Sequence, residues 1–565
     1  MFMKYAMRRV PRLLSDRIRA PSVDKEWVPP LVPLNASEDL VQIPVLPLPD
    51  GAIEAARTWV AKGRITIFGQ EIDTGWPVDW RCDPFNSFPR RFAQDINYYG
   101  NNINVDIKIP WEIHRLNLLP ALAEVLPAGE WAEFVLGWAA EHPVHSTIAW
   151  MEGIEQGLRA MAIAQGMARI DVSAINEEQQ GRLRGLLATH GKWCVAHRST
   201  KWRQNTNHLL LEEMGALVVG AALSDLPKFR TMGQKAAARL ARELERQTCD
   251  GRNWEPTTAY HRFVSEALLV TLSASRTLKD ATALPLLEAL AEKHVDTLQW
   301  LCTPGGMMPL VGDDDAGVVL PRSTDWDARQ CSEVLDLAQE LGFNTKVKEG
   351  VRIWPDVGMG VLRSGPWHVH LVSGAPKGKR QQASHRHLDM LSLTVHHHEM
   401  PVILDGGTQS YFGSRTQRDK DRSPGQHSGI TLEGKELGRI RGPFEILSPA
   451  LGSLERQGEN SLSATIRLSE GITIRREITI TEQKFTLTDT SPLPSTSSFL
   501  MGEAEVEIIA KDGVKRTHSE MIEVASGYGR IGQVEKHMWA FEKGTHELEL
   551  NVTQPVSEVE MEVHG

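Results

Sequence analysis

The stretch "ATIRLSEGITIRREITITEQKFTLTDT" (residues 464–490) decides the fold of the second half of the chain. Ile472, Ile474, Ile478 and Ile480 alternate with polar residues, and alternation of period two is the pattern of a strand with one buried face. The same texture runs through "GVLRSGPWHVHLVSG" (360–374), "AEVEIIA" (504–510), "HELELNV" (546–552) and "VEMEVHG" (559–565), broken by Gly and Asn/Asp turns. Antiparallel strands in a β-sandwich fit this pattern.

Upstream of about Phe343 the period changes. "LNLLPALAEVL" (116–126), "WAEFVLGWAAEH" (131–142), "STIAWMEGIEQGLRAMAIAQG" (146–166), "HLLLEEMGALVVGAAL" (208–223), "GQKAAARLARELERQ" (233–247) and "YHRFVSEALLVTLSAS" (260–275) carry apolar residues at helical spacing. Leu210, Met214, Leu217 and Val218 share one face, and Val264, Leu268 and Leu272 another. No exact period links these helices, which speaks against a short-repeat solenoid and for a helical toroid or large bundle. The first fifty residues are proline-rich ("VPPLVPLN", "IPVLPLPDG") and read as an extended lead-in that is not packed. The expected order is therefore a lead-in over 1–54, a helical domain over 55–340 and an all-β domain over 341–565. The junction is expected near "GDDDAGVVLPRSTDWDA".

A chain of 565 residues is too long for one ordinary core. Its 41% hydrophobic and 24% charged content is that of a globular protein. The net charge of −10 argues against nucleic-acid binding but leaves room for a local basic cleft. The five cysteines are scattered, odd in number and without a CxxC, as expected of reduced thiols. The N-terminus lacks the apolar core of a secretory signal, and no run is long enough to span a membrane. A cytoplasmic location is expected on that ground, with export by another route left open.

Three islands combine residues that carry chemistry. Asn207 and His208 open a helix in "QNTNHLLLEEMG", where free N–H groups suit a carboxylate; an N-cap with a packed His is the plainer reading. Tyr260 and His261 open another in "EPTTAYHRFV". The third is "SHRHLDMLSLTVHHHEMPVILDGG" (384–407) with "RDKDRSPGQHSG" after it. If "HRHLD" is a strand, His385, His387 and Asp389 share a face. His387, Asp405 and His427 would then form a two-His, one-carboxylate set suited to zinc. "HHHE" (396–399) reads as an exposed hairpin turn, and "GDDDAG" (312–317) as an acidic loop that lacks the further ligands of a calcium loop.

In this order the islands resemble the heparinase II/III family of polysaccharide lyases, relatives of the alginate, chondroitin and hyaluronan lyases. The matching words are "NTNHLLLEEMG", "EPTTAYHRFV", "HRHLDMLSLTV…PVILDGG" and "RDKDRSPGQHSGITLEGKE", which span roughly 200 to 435. The resemblance implies a multidomain α+β chain, an (α/α) toroid followed by an antiparallel β-sandwich. It implies β-elimination on a uronic-acid glycan, an acidic polysaccharide. Asn207 and His208 would hold the uronate carboxylate, Tyr260 would transfer protons, and His385 would be the partner base. Arg422 and Glu212 would contact substrate. His387, Asp405 and His427 would bind a structural zinc. A homodimer is compatible with this reading. The rivals are a zinc-dependent glycan hydrolase and a non-catalytic glycan-binding protein of the same fold.

Overall fold

A computed structural model describes residues 26–34, 39–97, 106–200, 206–303, 305–376, 384–481, 484–504, 506–511, 514–527 and 530–552. The strand expected over 559–565 lies outside them, as does Asn205 of the first matching word.

From Ala52 to Leu301 the chain is mainly helical. Its longer helices are Ala52–Lys62, Ala128–Glu141, Gly153–Met167, Glu177–Ala196, Asn207–Ala222, Pro227–Gln247, Thr258–Leu278 and Ala283–Leu301. Asn207–Ala222 is the hub. Of its 16 residues only His208 is not buried, because helices Gly153–Met167, Glu177–Ala196, Pro227–Gln247 and Thr258–Leu278 all pack on it. Two glycine crossings make this possible. A Cβ at Gly157 would lie 2.2 Å from Leu211 O, and one at Gly220 would lie 2.3 Å from Gly233 Cα. Backbone meets backbone at both crossings, so even an alanine would push the helices apart.

Two expectations change here. A β-hairpin, Arg64–Ile67 with Gln70–Asp73, interrupts the helical half. The proline-rich lead-in has no helix or strand in its described part before Ala52, where a helix begins, but it is packed: Val32, Leu40, Val41, Ile43 and Leu46 are buried. Its backbone is held by Val32 N–H to Gly181 O (3.0 Å) and Gln42 N–H to Ala222 O (2.8 Å). Proline removes the donors needed for regular structure without preventing burial against a neighbour.

The β half begins at Gly350, after a short helix Ser332–Glu340. Among the described residues nine strands form one sheet, in which Gly350–Trp354, Met359–Ser364, Trp367–Val372, Leu393–His397 and Met400–Leu404 are consecutive neighbours. A six-stranded sheet faces it, built around Ser461–Arg467, Thr473–Thr481 and Lys484–Ser491. Leu462, Ile474, Ile478, Ile480, Phe485 and Leu487 fill the layer between. Ile472, the first residue of the expected series, is only partly buried. The fully buried Arg476 stands on the apolar side instead, paired through two N–H···O contacts of 2.8 Å with Asp489 and donating to Leu391 O at 2.7 Å. No helix among the described residues is long and apolar enough to cross a membrane.

Candidate active site

The site is built where the helical half meets the large sheet. From the helical side, Thr257 caps helix Thr258–Leu278 by accepting from Tyr260 N–H at 2.9 Å. That cap fixes Tyr260 in the first turn. Asn207 is the first residue of the hub helix, and both its backbone N–H (2.9 Å) and its amide Nδ2 (2.8 Å) donate to Glu255 Oε1. His208, beside it, is two-fifths exposed and faces Glu152 at 4.0 Å.

From the β side come His385 and His387. They lie in a loop, not in the expected strand, and Asp389 does not share a strand face with them. What holds them is Asp313. Its carboxylate accepts from His385 Nδ1 at 3.0 Å and from His387 Nε2 at 2.7 Å, and it pairs with both ends of Arg418 at 2.5 and 2.6 Å. Arg418 belongs to the short helix Arg415–Asp421, and its guanidinium lies 4.9 Å from the Tyr411 ring centroid. The Arg418 charge and the histidine hydrogen bonds outweigh burial and hold Asp313 well below the usual carboxylate range.

The two sides meet at Tyr260 and His385, whose rings stack at 4.4 Å between centroids and 28° between planes. Tyr260 Oη lies 3.2 Å from Tyr411 Oη, and His385 Nε2 lies 3.5 Å from Glu255 Oε2. Burial, with the Asp315, Asp313 and Glu255 carboxylates, raises the Tyr260 phenol well above its ordinary value. For His385 burial acts downward, but the Asp313 hydrogen bond and the Glu255 charge prevail and its pKa is raised. Tyr411, Phe412 and Phe444 wall this point, with Phe444 5.6 Å from His385 and 5.4 Å from Tyr411 between ring centroids.

Asn207, Tyr260 and His385 thus converge at one point, joined by Glu255 and the ring stack, with His208 next to Asn207 on the hub helix. Two expected substrate contacts are elsewhere. Arg422 is fully buried and donates to Gly442 O (3.0 Å) and Pro443 O (3.1 Å), so its fork clamps a loop. Glu212 is fully buried too. It accepts from Ser199 Oγ and Ser199 N–H, both at 2.6 Å, and burial pushes its carboxyl up to about 8. The acidic stretch 312–317 is a loop, and an inward one: Asp313 and Asp314 are buried, and Asp315 pairs with Lys108 at 2.8 Å. In "HHHE" the hairpin exists, but His396 is buried in strand Leu393–His397 and His397 packs on Trp367 at 4.6 Å. Only the tip, His398–Glu399, is exposed.

Among the described residues no group of three or more His, Cys, Asp or Glu side chains is placed to hold a metal. His387 and His427 are nevertheless neighbours, 5.2 Å between ring centroids. His387 Nδ1 and His427 Nε2 are buried and have no hydrogen-bond partner. Asp405 binds His427 Nδ1 at 3.0 Å, the arrangement by which a carboxylate orients a ligating imidazole. The two free nitrogens are donors of the kind zinc takes, but they are two, and Asp405 is turned onto His427 and not toward a common point.

Asp313, Glu255, Tyr411 and Arg418 escaped the sequence reading. A usable signal existed for Tyr411: it opens "YF" in a glycine-rich loop six residues beyond Asp405, in a chain with 6% aromatic residues.

A family model described as "Heparinase II/III N-terminus" matches residues 70–324, and one described as "Heparinase II/III-like, C-terminal" matches residues 347–559. Among solved structures the chain is similar to heparinase III, at 13% identity over 92% of this chain and 86% of that one, with a TM-score of 0.66. It is also similar to a heparan sulfate lyase from Pedobacter heparinus, at 14% identity over 89% and 83%, with a TM-score of 0.55. At such identities the likeness shows a shared fold, a helical toroid joined to an antiparallel β domain. No curated protein matches the sequence. With both family models in order along most of its length, the chain belongs to the heparinase II/III family.

Proposed function

We propose that the chain is a polysaccharide lyase that cleaves uronic-acid-containing glycans, glycosaminoglycan-like or bacterial exopolysaccharides, by β-elimination. The observation that carries this is the stacked Tyr260–His385 pair joined to Asn207 through Glu255, three groups from distant parts of the chain brought to one point.

β-Elimination removes the C5 proton of a uronate and expels the C4 oxygen. The obstacle is the negative charge that builds on the carboxylate side, and preorganised donors lower it. Asn207 Nδ2 and His208 supply such donors. Asp313 accepts at His385 Nδ1, which assigns the proton to that nitrogen and leaves Nε2 as the base atom. His385 Nε2 takes the C5 proton, the released electron pair forms the C4–C5 double bond, and the C4–O bond breaks. Tyr260, kept a neutral phenol by burial and three carboxylates, is the acid that protonates the leaving oxygen. The stacked rings then return to their starting states by moving the proton from His385 to the tyrosinate. Tyr411 donates to Tyr260 Oη while that oxygen carries charge.

We also propose that zinc, held by His387 and His427 with Asp405 orienting the second ring, braces the wall that presents His385. When bound, the ion would act as a structural cross-link.

The test is incubation with a panel of uronate polymers, following absorbance of the unsaturated product. An absorbance rise with new reducing ends is expected. Saturated products would favour a hydrolase, and binding without cleavage a glycan-binding protein. Elemental analysis of protein purified without chelator tests the metal, with about one zinc per chain expected. No zinc, together with unchanged stability of His387→Ala, would remove it.

A further inference from the structure

Glu255 is fully buried, and among the described residues no lysine or arginine pairs with it. Its Oε1 accepts two N–H groups of a single residue, the backbone and side-chain amides of Asn207. Its Oε2 has no hydrogen bond and faces His385 Nε2 at 3.5 Å. Burying a carboxylate with no lysine or arginine beside it is costly, and two neutral donors offset only part of that cost. Nothing in the packing of the helices requires a charge at this point. A leucine or glutamine of similar size would fill the space.

What a carboxylate does that those residues cannot is accept only. A carboxylate offers no N–H, so the Asn207 amide turns its nitrogen toward it. One N–H of that nitrogen is then held. The second N–H and the carbonyl Oδ1 have no partner among the described residues. The same oxygen anchors the backbone of the hub helix's first residue, and the other oxygen limits how far the His385 ring can swing.

We propose that Glu255 is a positioning residue. It sets the Asn207 amide and the His385 ring in mutual register, so that the remaining Asn207 N–H is presented to the uronate carboxylate. This rests on the lyase reading. A purely structural Glu255 would instead show its loss in stability and in KM.

The experiment compares Glu255→Gln with wild type on a uronate polymer that the wild type cleaves. The glutamine keeps the volume but brings a donor, so the Asn207 amide loses its fixed orientation. A fall in kcat of about 10²-fold is expected, the size of one lost oxyanion-type donor. KM should not rise, because the substrate carboxylate loses a like-charged neighbour. The double variant Glu255→Gln/Asn207→Ala should be no slower than the slower single variant, since one residue acts through the other. Unchanged kcat, or losses that multiply, would overturn the proposal. Hydrogen exchange of the Asn207 backbone amide gives a readout independent of turnover: about tenfold faster exchange is expected in Glu255→Gln, as a charged acceptor becomes neutral. If the wild type cleaves no uronate polymer, the lyase reading fails, while exchange still decides whether Glu255 holds Asn207. Should the glutamine variant not fold, Glu255→Asp replaces it: the carboxylate is withdrawn by one methylene from both Asn207 N–H groups, so kcat should fall and Asn207 exchange quicken, and wild-type values of both would overturn the proposal.

Discussion

The two walls of the cleft are held by different forces. On the helical wall, Asn207 and Tyr260 sit in the first turns of long helices, placed by backbone geometry and by packing tight enough to need glycine at the crossings. On the β wall, His385 and His387 lie in a loop without regular structure and are placed by one carboxylate, Asp313, which Arg418 neutralises. One wall is positioned by the fold and the other by charge. The first should tolerate loss of a functional side chain with little change in stability. The second should not.

Tyr260→Phe is the sharpest check on the helical wall. Turnover should fall about 10²–10⁴-fold, the usual weight of a general acid, while KM stays within a few fold because the ring and its stack remain. The thermal midpoint should move little, since the variant loses a single hydroxyl contact worth about 1 kcal/mol. Full activity in this variant would break the assignment of Tyr260 as the acid.

Arg418→Met tests the opposite wall. It leaves Asp313 buried without its cation, and removing one partner of a buried pair costs roughly 3–5 kcal/mol. Denaturant unfolding should show this loss together with lower activity. A stable Arg418→Met protein would mean that packing, not charge, places the β wall.

Glu212 offers a subtler contrast within the helical wall. Its carboxyl pKa is 4.5 when unperturbed and about 8 in the fold. The folded state therefore holds a proton more tightly, a contribution to stability that is fully present below pH 4.5 and lost as pH rises through 8. Glu212→Gln removes this dependence. Relative to it, wild type should lose on the order of a few kcal/mol between pH 5 and pH 9, and equal slopes in the two proteins would refute the shift.

The pH profile joins the walls. In the proposed mechanism His385 is a base only when neutral, and its pKa is raised above the ordinary 6.5. The acid limb of kcat/KM should therefore lie above pH 6.5, with the Tyr260 limb far to the alkaline side. An acid limb below 6.5 would mean that Asp313 and Glu255 do not set the base. The smallest effect belongs to Arg422→Met, which should leave KM within about twofold, because this guanidinium serves loop carbonyls.

What was legible in the sequence follows the same division. Asn207, His208 and Tyr260 open strongly periodic helices, and the helix start is itself a signal in the residue pattern. Alternation around Ile474–Ile480 announced the sandwich, although the buried Arg476 on that face reads as a solvent residue until Asp489 is seen beside it on the next strand. Asp313 was hidden for a related reason. Three consecutive acids look solvated, and only the distant Arg418, His385 and His387 make one of them a buried hub. Glu255 precedes a proline and has no partner within reach of local spacing. Arg422 and Glu212 fall on motif positions that suit a substrate contact, yet the fold turns both inward. Side chains placed by long-range charge leave no period for a reader to find.

The strand Gly544–Val552 lies between Lys484–Ser491 and Val506–Ala510 in the six-stranded sheet, bonded to both. The ribosome makes the helical half first, but the core of that half also takes in Trp354, Val357, Met359, Val361 and Val372 from the first β strands and the turn between them. The smaller sheet cannot close until residue 552 has been added, and the larger sheet leans on it through the layer of Ile474, Ile478 and Leu487. During synthesis, therefore, Asn207 and Tyr260 are made long before the sheets behind His385 can close. The Tyr260–His385 stack is among the last contacts the growing chain can complete.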